Sequence, residues 1–501
     1  ERLSTAAANA YVRPLMARYL ASLAHKLDRG GFAAPLLMMT SGGGLTDLAT
    51  AAAYPIRLVE SGPAGGAILA ARLAGLCGYP RVLSFDMGGT TAKICLIDDA
   101  EPQLSRAFEI GRVYRFKKGS GLPVRIPVIE MVEIGAGGGS IARVDRLRRI
   151  QVGPDSAGSE PGPACYGRGG RLPTVTDADL LQGRIQPGFF AGGSIELDVE
   201  AARRALADSV GGPLGLGDTM AAYGIGAVVD ENMAAAARAH AAEWGTDVAA
   251  RTLIAYGGAG PLHAAALADR LKIDRIVIPA GAGVASAVGF LLAPISFEVV
   301  RSRYQRLSAF EAHVANALLG AMHSEALAVV EQAAPAARWR VLRRAALRYV
   351  GQGYEIAVTL PDGELGAEAG VALHAAFETE YRRLYGRVIP GLDVEILSFT
   401  LALTELGAPD LHIGAGAPGR PQRAAADGSA GLERGRLFDP ESGAAAEVPL
   451  ILRSDIARGG QPIAGPLLIV EDQTTTVMAK GFSIVVDRFD NLVMERLRDR
   501  A

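Results

Sequence analysis

Ser84-Phe85-Asp86-Met87-Gly88-Gly89-Thr90-Thr91-Ala92-Lys93 is the stretch whose reading decides the fold. An apolar run ending in a carboxylate predicts a strand from Val82 to Asp86, and Lys93 to Ile97 predicts its partner across a tight glycine turn. The two glycines let the backbone approach a neighbour closely, where a Cβ would obstruct it. Successive N–H groups in such a turn form an anion-binding concavity, and the hydroxyls of Thr90 and Thr91 add donors. Asp86, at the strand end, is placed to hold Mg²⁺ through water or to orient an attacking oxygen. Lys93 is one of only six lysines against 45 arginines. It offers a point charge to a phosphate or, equally simply, is an exposed strand residue. By itself the stretch reads as a phosphate-binding turn or as a plain β-hairpin with a D-x-G-G turn.

Two further glycine loops extend the pattern. Gly257-Gly258-Ala259-Gly260 follows a predicted strand, Leu253 to Tyr256, and opens a helix near Pro261. The arrangement suits the ribose and adenine side of a nucleotide cleft, or serves only as a turn. His263, in the first helical turn, reads as a packing histidine rather than a catalytic one. In the third loop Gly135, Gly137, Gly138 and Gly139 precede Ser140, and this density means either close backbone packing or a ligand wall. The proline- and glycine-rich segments Val152 to Gly158 and Pro161 to Gly167 predict rigid irregular loops, where substrate sites sit on α/β scaffolds. Cys165 has no His or Asp pattern to activate it and reads as a structural thiol. Asp155, Asp177 and Asp179 read as capping or turn residues. The chain has neither G-x-G-x-x-G nor a Walker lysine, which excludes the Rossmann and P-loop readings.

Across the 501 residues, short apolar runs alternate with helical stretches up to about residue 300, predicting an α/β domain with a mixed sheet. Within it, Pro63 to Leu76 is a helix with Ser61 as N-cap, and Met220 to Trp244 is a long alanine-rich helix with Asp218 as N-cap. Residues 301–413 read as α+β and 432–501 as β-rich, with a flexible connection at 414–431. A formal charge of −2 removes any electrostatic case for nucleic acid or an anionic membrane as partner. Three cysteines without C-x-x-C spacing exclude a disulfide framework and a thiolate zinc site, and suit a reducing cytoplasm. Ile276 to Phe297 is uncharged and long enough to span a bilayer. Two prolines and three glycines break it into strand, loop and helix instead.

At these residues the chain resembles the hydantoinase A/5-oxoprolinase family and is similar to the β subunit of acetone carboxylase. The strings are S-G-P-A-G-G at Ser61–Gly66, D-M-G-G-T at Asp86–Thr90, G-A-G-G-G-S-I at Gly135–Ile141, P-G-P-A-C-Y-G at Pro161–Gly167, P-T-V-T-D-A at Pro173–Ala178 and G-G-A-G-P-L-H at Gly257–His263. The resemblance implies an α/β fold with an actin/hexokinase-like ATPase core and a C-terminal α+β region. It also implies ATP and Mg²⁺ as cofactors, a cyclic amide such as 5-oxoproline or a hydantoin as substrate, and a hydantoinase B-type subunit as partner in a hetero-oligomer. Asp86 and Thr90 would then be catalytic, with Asp86 also the metal residue. Gly88, Gly89, Thr91, Lys93, Gly257, Gly258, Ala259 and Gly260 would bind nucleotide, and Gly137, Gly138, Gly139 and Ser140 would form the substrate loop. The family's first phosphate loop, a G-G-T-F-T-D string, is expected upstream of Glu1, so the ATPase core (1–300) would begin partway through and this chain alone would bind nucleotide weakly or not at all. Thr91 and Lys93 depart from the usual D-M-G-G-T-S-x-D. An ATP-dependent carboxylase subunit of the acetone carboxylase type, or a non-catalytic nucleotide-binding protein, are the alternatives.

Overall fold

The hairpin forms where the sequence places it. Arg81–Met87 and Ala92–Asp98 run antiparallel, with Asp86 opposite Lys93. On the other side, Arg81–Met87 pairs in parallel with Thr252–Tyr256, which pairs in parallel with Arg275–Ile278. These strands are buried along nearly their whole length. Their continuous apolar runs, rather than alternating ones, follow from burial on both faces. Because Asp86 is in register with Tyr256, the loops Gly88–Thr91 and Gly257–Gly260 leave the sheet side by side, at the C-terminal ends of adjacent parallel strands. Open α/β sheets bind ligands at this edge.

The computed structural model describes residues 2–106, 108–111, 119–407 and 433–497. It divides into two compact units, each assembled from three chain segments. The larger comprises residues 62–105, 129–292 and the described part of 411–501. Its main sheet has nine strands, completed at one side by Met131–Ile134 and at the other by Leu492–Arg496, Phe482–Val486 and Ile463–Ala464. Helices Asp218–Glu243 and Gly260–Leu271 pack on one another, and the second packs on the central strands. A second sheet of four strands, Glu433–Asp439, Ala444–Leu452, Leu467–Val470 and Thr475–Met478, belongs to the same unit.

The smaller unit comprises residues 1–61, 106–128 and 293–410, as far as they are described. Its antiparallel sheet runs in the order Ser296–Arg306, Val394–Glu405, Trp339–Tyr349, Ile356–Thr359. Helices Ala312–Ala333 and Ala369–Tyr385 cover that sheet, and their core centres on Tyr349, whose ring meets Phe377 edge-on at 4.9 Å. The units do not follow linear boundaries at residues 300 and 432. Leu492–Arg496 pairs with Arg275–Ile278 inside the main sheet, and the first 61 residues group with 293–410. The expected connection at 414–431 lies outside the described residues.

Two caps differ from expectation. The helix expected after Asp218 starts at Asp218 itself with Gly217 as N-cap, and Ser61 is the first helical residue of Ser61–Cys77 rather than its cap. The uncharged stretch Ile276 to Phe297 resolves into strand, the 3₁₀ turn Ala282–Val284, and the helix Ala285–Leu292. Among the described residues, no helix is long and apolar enough to cross a membrane.

Candidate functional site

A cavity of about 600 Å³ opens where the two glycine loops leave the sheet. Gly88 and Gly89 form one wall, Gly258 and Ala259 a second, and Gly138 a third. A Cβ added at Gly88 or Gly89 would meet nothing within 4 Å, and neither residue has a positive φ. Neither the turn nor the packing requires glycine there. What glycine preserves is bare backbone at the cavity wall.

Gly257 is the opposite case. Its φ of +86°, and a Cβ position 2.5 Å from Asp86 Oδ1, both demand glycine. Its N–H donates to Ala282 C=O at 2.9 Å, while Ala259 N–H donates to Met87 C=O at 2.9 Å, locking the two loops together. Gly258 C=O accepts from Thr474 Oγ1 at 2.9 Å. Gly260 begins the helix behind them.

The third loop is chiefly a brace for the first. A Cβ on Gly137 would stand 2.5 Å from the Thr90 carbonyl carbon and 2.6 Å from Thr91 N. The N–H groups of Gly138 and Gly139 donate to the carbonyls of Gly88 and Gly89 at 3.0 and 2.6 Å. Ser140 Oγ accepts from Gly137 N–H at 2.8 Å. Of the expected substrate loop, only Gly138 reaches the cavity, where Thr176 Oγ1 holds its carbonyl at 2.9 Å.

Asp86 ends the strand from which the Gly88–Thr91 loop leaves, and its Oδ2 accepts from Ser286 Oγ at 3.2 Å. Burial raises its pKa above the ordinary value, against the lowering effects of that hydrogen bond and of Lys93. Lys93 does not line the cavity. Its ammonium donates to Thr91 Oγ1 at 2.9 Å and pairs with Glu133 at 3.3 Å, because the strand ladder sets Glu133 opposite it. Thr90 and Thr91 occupy the turn without lining the cavity, Thr90 exposed and Thr91 half-buried.

Sequence reasoning missed two walls. One is Glu471-Asp472-Gln473-Thr474-Thr475, carried at the end of Leu467–Val470, with Glu471 held by Arg453 at 2.7 Å. An apolar strand running into acidic and hydroxyl residues is the same pattern that marks Ser84 to Thr91, and it was there to be found. The other is the aromatic rim of Tyr166, Phe189 and Phe190, in which Tyr166 and Phe190 stand 5.7 Å apart between ring centroids.

Asp179 also lines the cavity, so its expected capping role is wrong. It accepts from His263 Nε2 at 3.1 Å and pairs with Arg184 at 3.3 Å, while His263 Nδ1 meets Asp230 at 2.7 Å. Burial disfavours a charge on His263, but the carboxylates of Asp179 and Asp230 outweigh it and raise its pKa to about 9. The packing histidine is therefore an imidazolium clamped between two carboxylates. Asp177 does cap: its carboxylate closes a capping box with Thr174 and also accepts from Cys165 N–H at 2.8 Å. That bond ties the Pro161–Gly167 loop to the helix Val175–Leu181. Asp155 is exposed and pairs with Arg143 at 2.6 Å. Cys165 is buried and its pKa is pushed up, chiefly by burial, which makes it inert as expected.

Residues 2–299 match the hydantoinase/oxoprolinase family, and the chain belongs to it. Among its relatives is the caprolactamase α subunit of Pseudomonas jessenii, 31% identical over 97% of this chain and 68% of that one. The crystal structure of the ATP-dependent caprolactamase from that organism superposes with a TM-score of 0.80 at 28% identity, over 98% of this chain and 70% of the other. The 5-oxoprolinase of Saccharomyces cerevisiae is 34% identical over 59% of this chain and 23% of its own. A nucleotide-free acetone carboxylase structure shares the fold with a TM-score of 0.75 at 23% identity, covering 95% of this chain and 67% of that one. The mixed helix-and-sheet class expected of the chain holds, and its fold is that of the caprolactamase structure.

Proposed function

We propose that this chain is the nucleotide-binding subunit of an ATP-dependent enzyme that activates a cyclic amide, of the 5-oxoproline or hydantoin kind, by phosphorylation for ring opening. The observation that carries the reading is the wall at Gly88 and Gly89, where glycine answers no demand of the fold and leaves backbone bare to the cavity. Such a cradle fits a phosphate chain, which a Cβ would displace. ATP, when bound, supplies the phosphoryl group that removes amide resonance at the carbonyl and makes its oxygen a leaving group.

The chain's own residues do the positioning. The bare wall at Gly88 and Gly89 takes the phosphate end, with Gly89 N–H as the donor, while Gly88 N–H closes the turn onto Thr91 C=O at 3.1 Å and Thr90 completes that turn. Gly258 and Ala259, set by Gly257 and Gly260, take the nucleoside side. Asp86, its Oδ2 fixed by Ser286, is the group to hold Mg²⁺ through water, and a cation there would oppose the burial that raises its pKa. Lys93 acts through Asp86, opposite it on the ladder, rather than on a phosphate. Gly138 faces the substrate, braced by Gly137, Gly139 and Ser140, while Phe189 and Phe190 exclude water.

Similarity to the caprolactamase α subunit along nearly the whole chain supports a cyclic amide as substrate and a B-type subunit as partner in a hetero-oligomer. Three free cysteines suit a reducing, cytoplasmic setting. The test is ADP release by the gene's product mixed with its B-type partner. Release dependent on 5-oxoproline or a hydantoin supports the reading. Release dependent on bicarbonate and a ketone replaces it with a carboxylase, and nucleotide binding without turnover replaces it with a sensor.

A further inference from the structure

The long helix Asp218–Glu243 carries buried alanines on its inner face, among them Ala234, Ala236, Ala237 and Ala241. His240 interrupts that face and is only 1% exposed. One helical turn on stands Glu243, and from the sheet Glu130 reaches the same place. Each of the three offers one ligand atom, and these atoms all lie within 4.8 Å of one another. Glu130 is half-buried, His240 buried and Glu243 exposed, so the group runs from the protein interior out to solvent.

The scaffold beneath these residues is fixed at both ends. Glu130 lies between the strands Val128–Ile129 and Met131–Ile134, and its N–H donates to Gln103 C=O at 2.8 Å. The helix ends directly after Glu243. Gly245 turns with a φ of +62°, and Thr246 N–H returns to Ala241 C=O at 3.0 Å. Buried Arg251 then binds Thr246 Oγ1 at 2.9 Å and Asp98 at 2.8 Å, pinning the chain after the helix to the strand Ala92–Asp98. Two carboxylates at the negative end of a helix dipole concentrate negative potential on one imidazole.

We propose that Glu130, His240 and Glu243 form a binding site for a divalent transition ion of the zinc type, which bridges the end of this helix to the edge of the main sheet. One imidazole nitrogen and two carboxylates are a donor set that suits Zn²⁺, with water in the fourth position. Ligands about 2.1 Å from a tetrahedral ion stand about 3.4 Å apart. Closing from within 4.8 Å to that spacing asks for small side-chain rotations, for which the exposed Glu243 has the most freedom. The site lies apart from the residues of the nucleotide cavity, and it does not depend on the proposed reaction.

The experiment is equilibrium dialysis of the purified protein against chelator-buffered Zn²⁺ in the micromolar range, with bound metal counted by mass spectrometry and Tm followed with and without Zn²⁺. One equivalent of zinc per chain and a Zn²⁺-dependent rise in Tm are expected. Glu243→Gln, an exposed change that leaves the fold intact, should weaken binding at least about 100-fold. His240→Gln should abolish it, and in both variants the Tm rise should disappear. Substoichiometric zinc on the unaltered chain overturns the proposal, as does binding undiminished by Glu243→Gln. Either result would leave the cluster as a structural contact between helix and sheet.

Discussion

Two glycine clusters meet in this protein, look alike in the sequence, and are glycine for opposite reasons. At Gly88 and Gly89 a Cβ would enter open cavity, whereas at Gly137 it would strike the backbone of Thr90 and Thr91 at 2.5–2.6 Å. The first pair is kept bare for what the cavity receives, and the second keeps the first in place. Gly257 and Gly258 repeat the contrast within one loop: Gly257 is demanded by φ and by Asp86, while Gly258 lines the cavity.

The comparison breaks most readily at Gly257. Gly257→Ala should cost about 3–4 kcal/mol in urea unfolding, because strain at positive φ adds to a clash with backbone and a buried carboxylate. Gly137→Ala should cost about 2–3 kcal/mol, since the neighbouring atoms are main chain and cannot yield. Asp179, which lines the same cavity, is held by charge rather than by close packing. His263 stays protonated up to about pH 9 in the folded chain, against about 6.5 when unfolded. Its contribution is therefore complete below about pH 6.5 and is lost as pH rises towards 9, a fall on the order of 3 kcal/mol. His263→Gln should flatten that part of the stability–pH curve. Smallest of all in stability, Gly88→Ala and Gly89→Ala should each change unfolding by less than about 1 kcal/mol. They should nonetheless reduce ATP-dependent turnover by about tenfold or more, measured as ADP release. If Gly88→Ala unfolds the protein as readily as Gly137→Ala does, the distinction between the two clusters is lost.

Much of the scaffold was legible because local pattern and burial agree. The strands Val82 to Asp86, Leu253 to Tyr256 and Ile276 to Ile278 are apolar runs buried on both faces, and the alanine-rich helix lies where composition puts it. The site was legible in part. Gly88, Gly89, Gly138, Gly258 and Ala259 do converge on one cavity, and Gly137 is revealed as support. The ion pair of Lys93 was not legible, because Glu133 is 40 residues away and meets it only across a strand ladder. Asp179 resembled a cap because nothing near it in sequence announces His263 or Arg184 as partners, and Asp177 two residues earlier does cap.

The sequence by itself determined the strand-turn-strand at Asp86, the glycine loops, the near-balanced net charge and the family. These depend on residue type and short spacing, which a chain carries wherever it folds. Only the tertiary structure decided which glycine serves the cavity and which serves the backbone. It also decided that Glu471–Thr475 forms a wall, and that Leu492–Arg496 completes the sheet begun by Arg81–Met87. Each of these is a contact between segments far apart along the chain, fixed by long-range strand pairing and burial that no local pattern encodes.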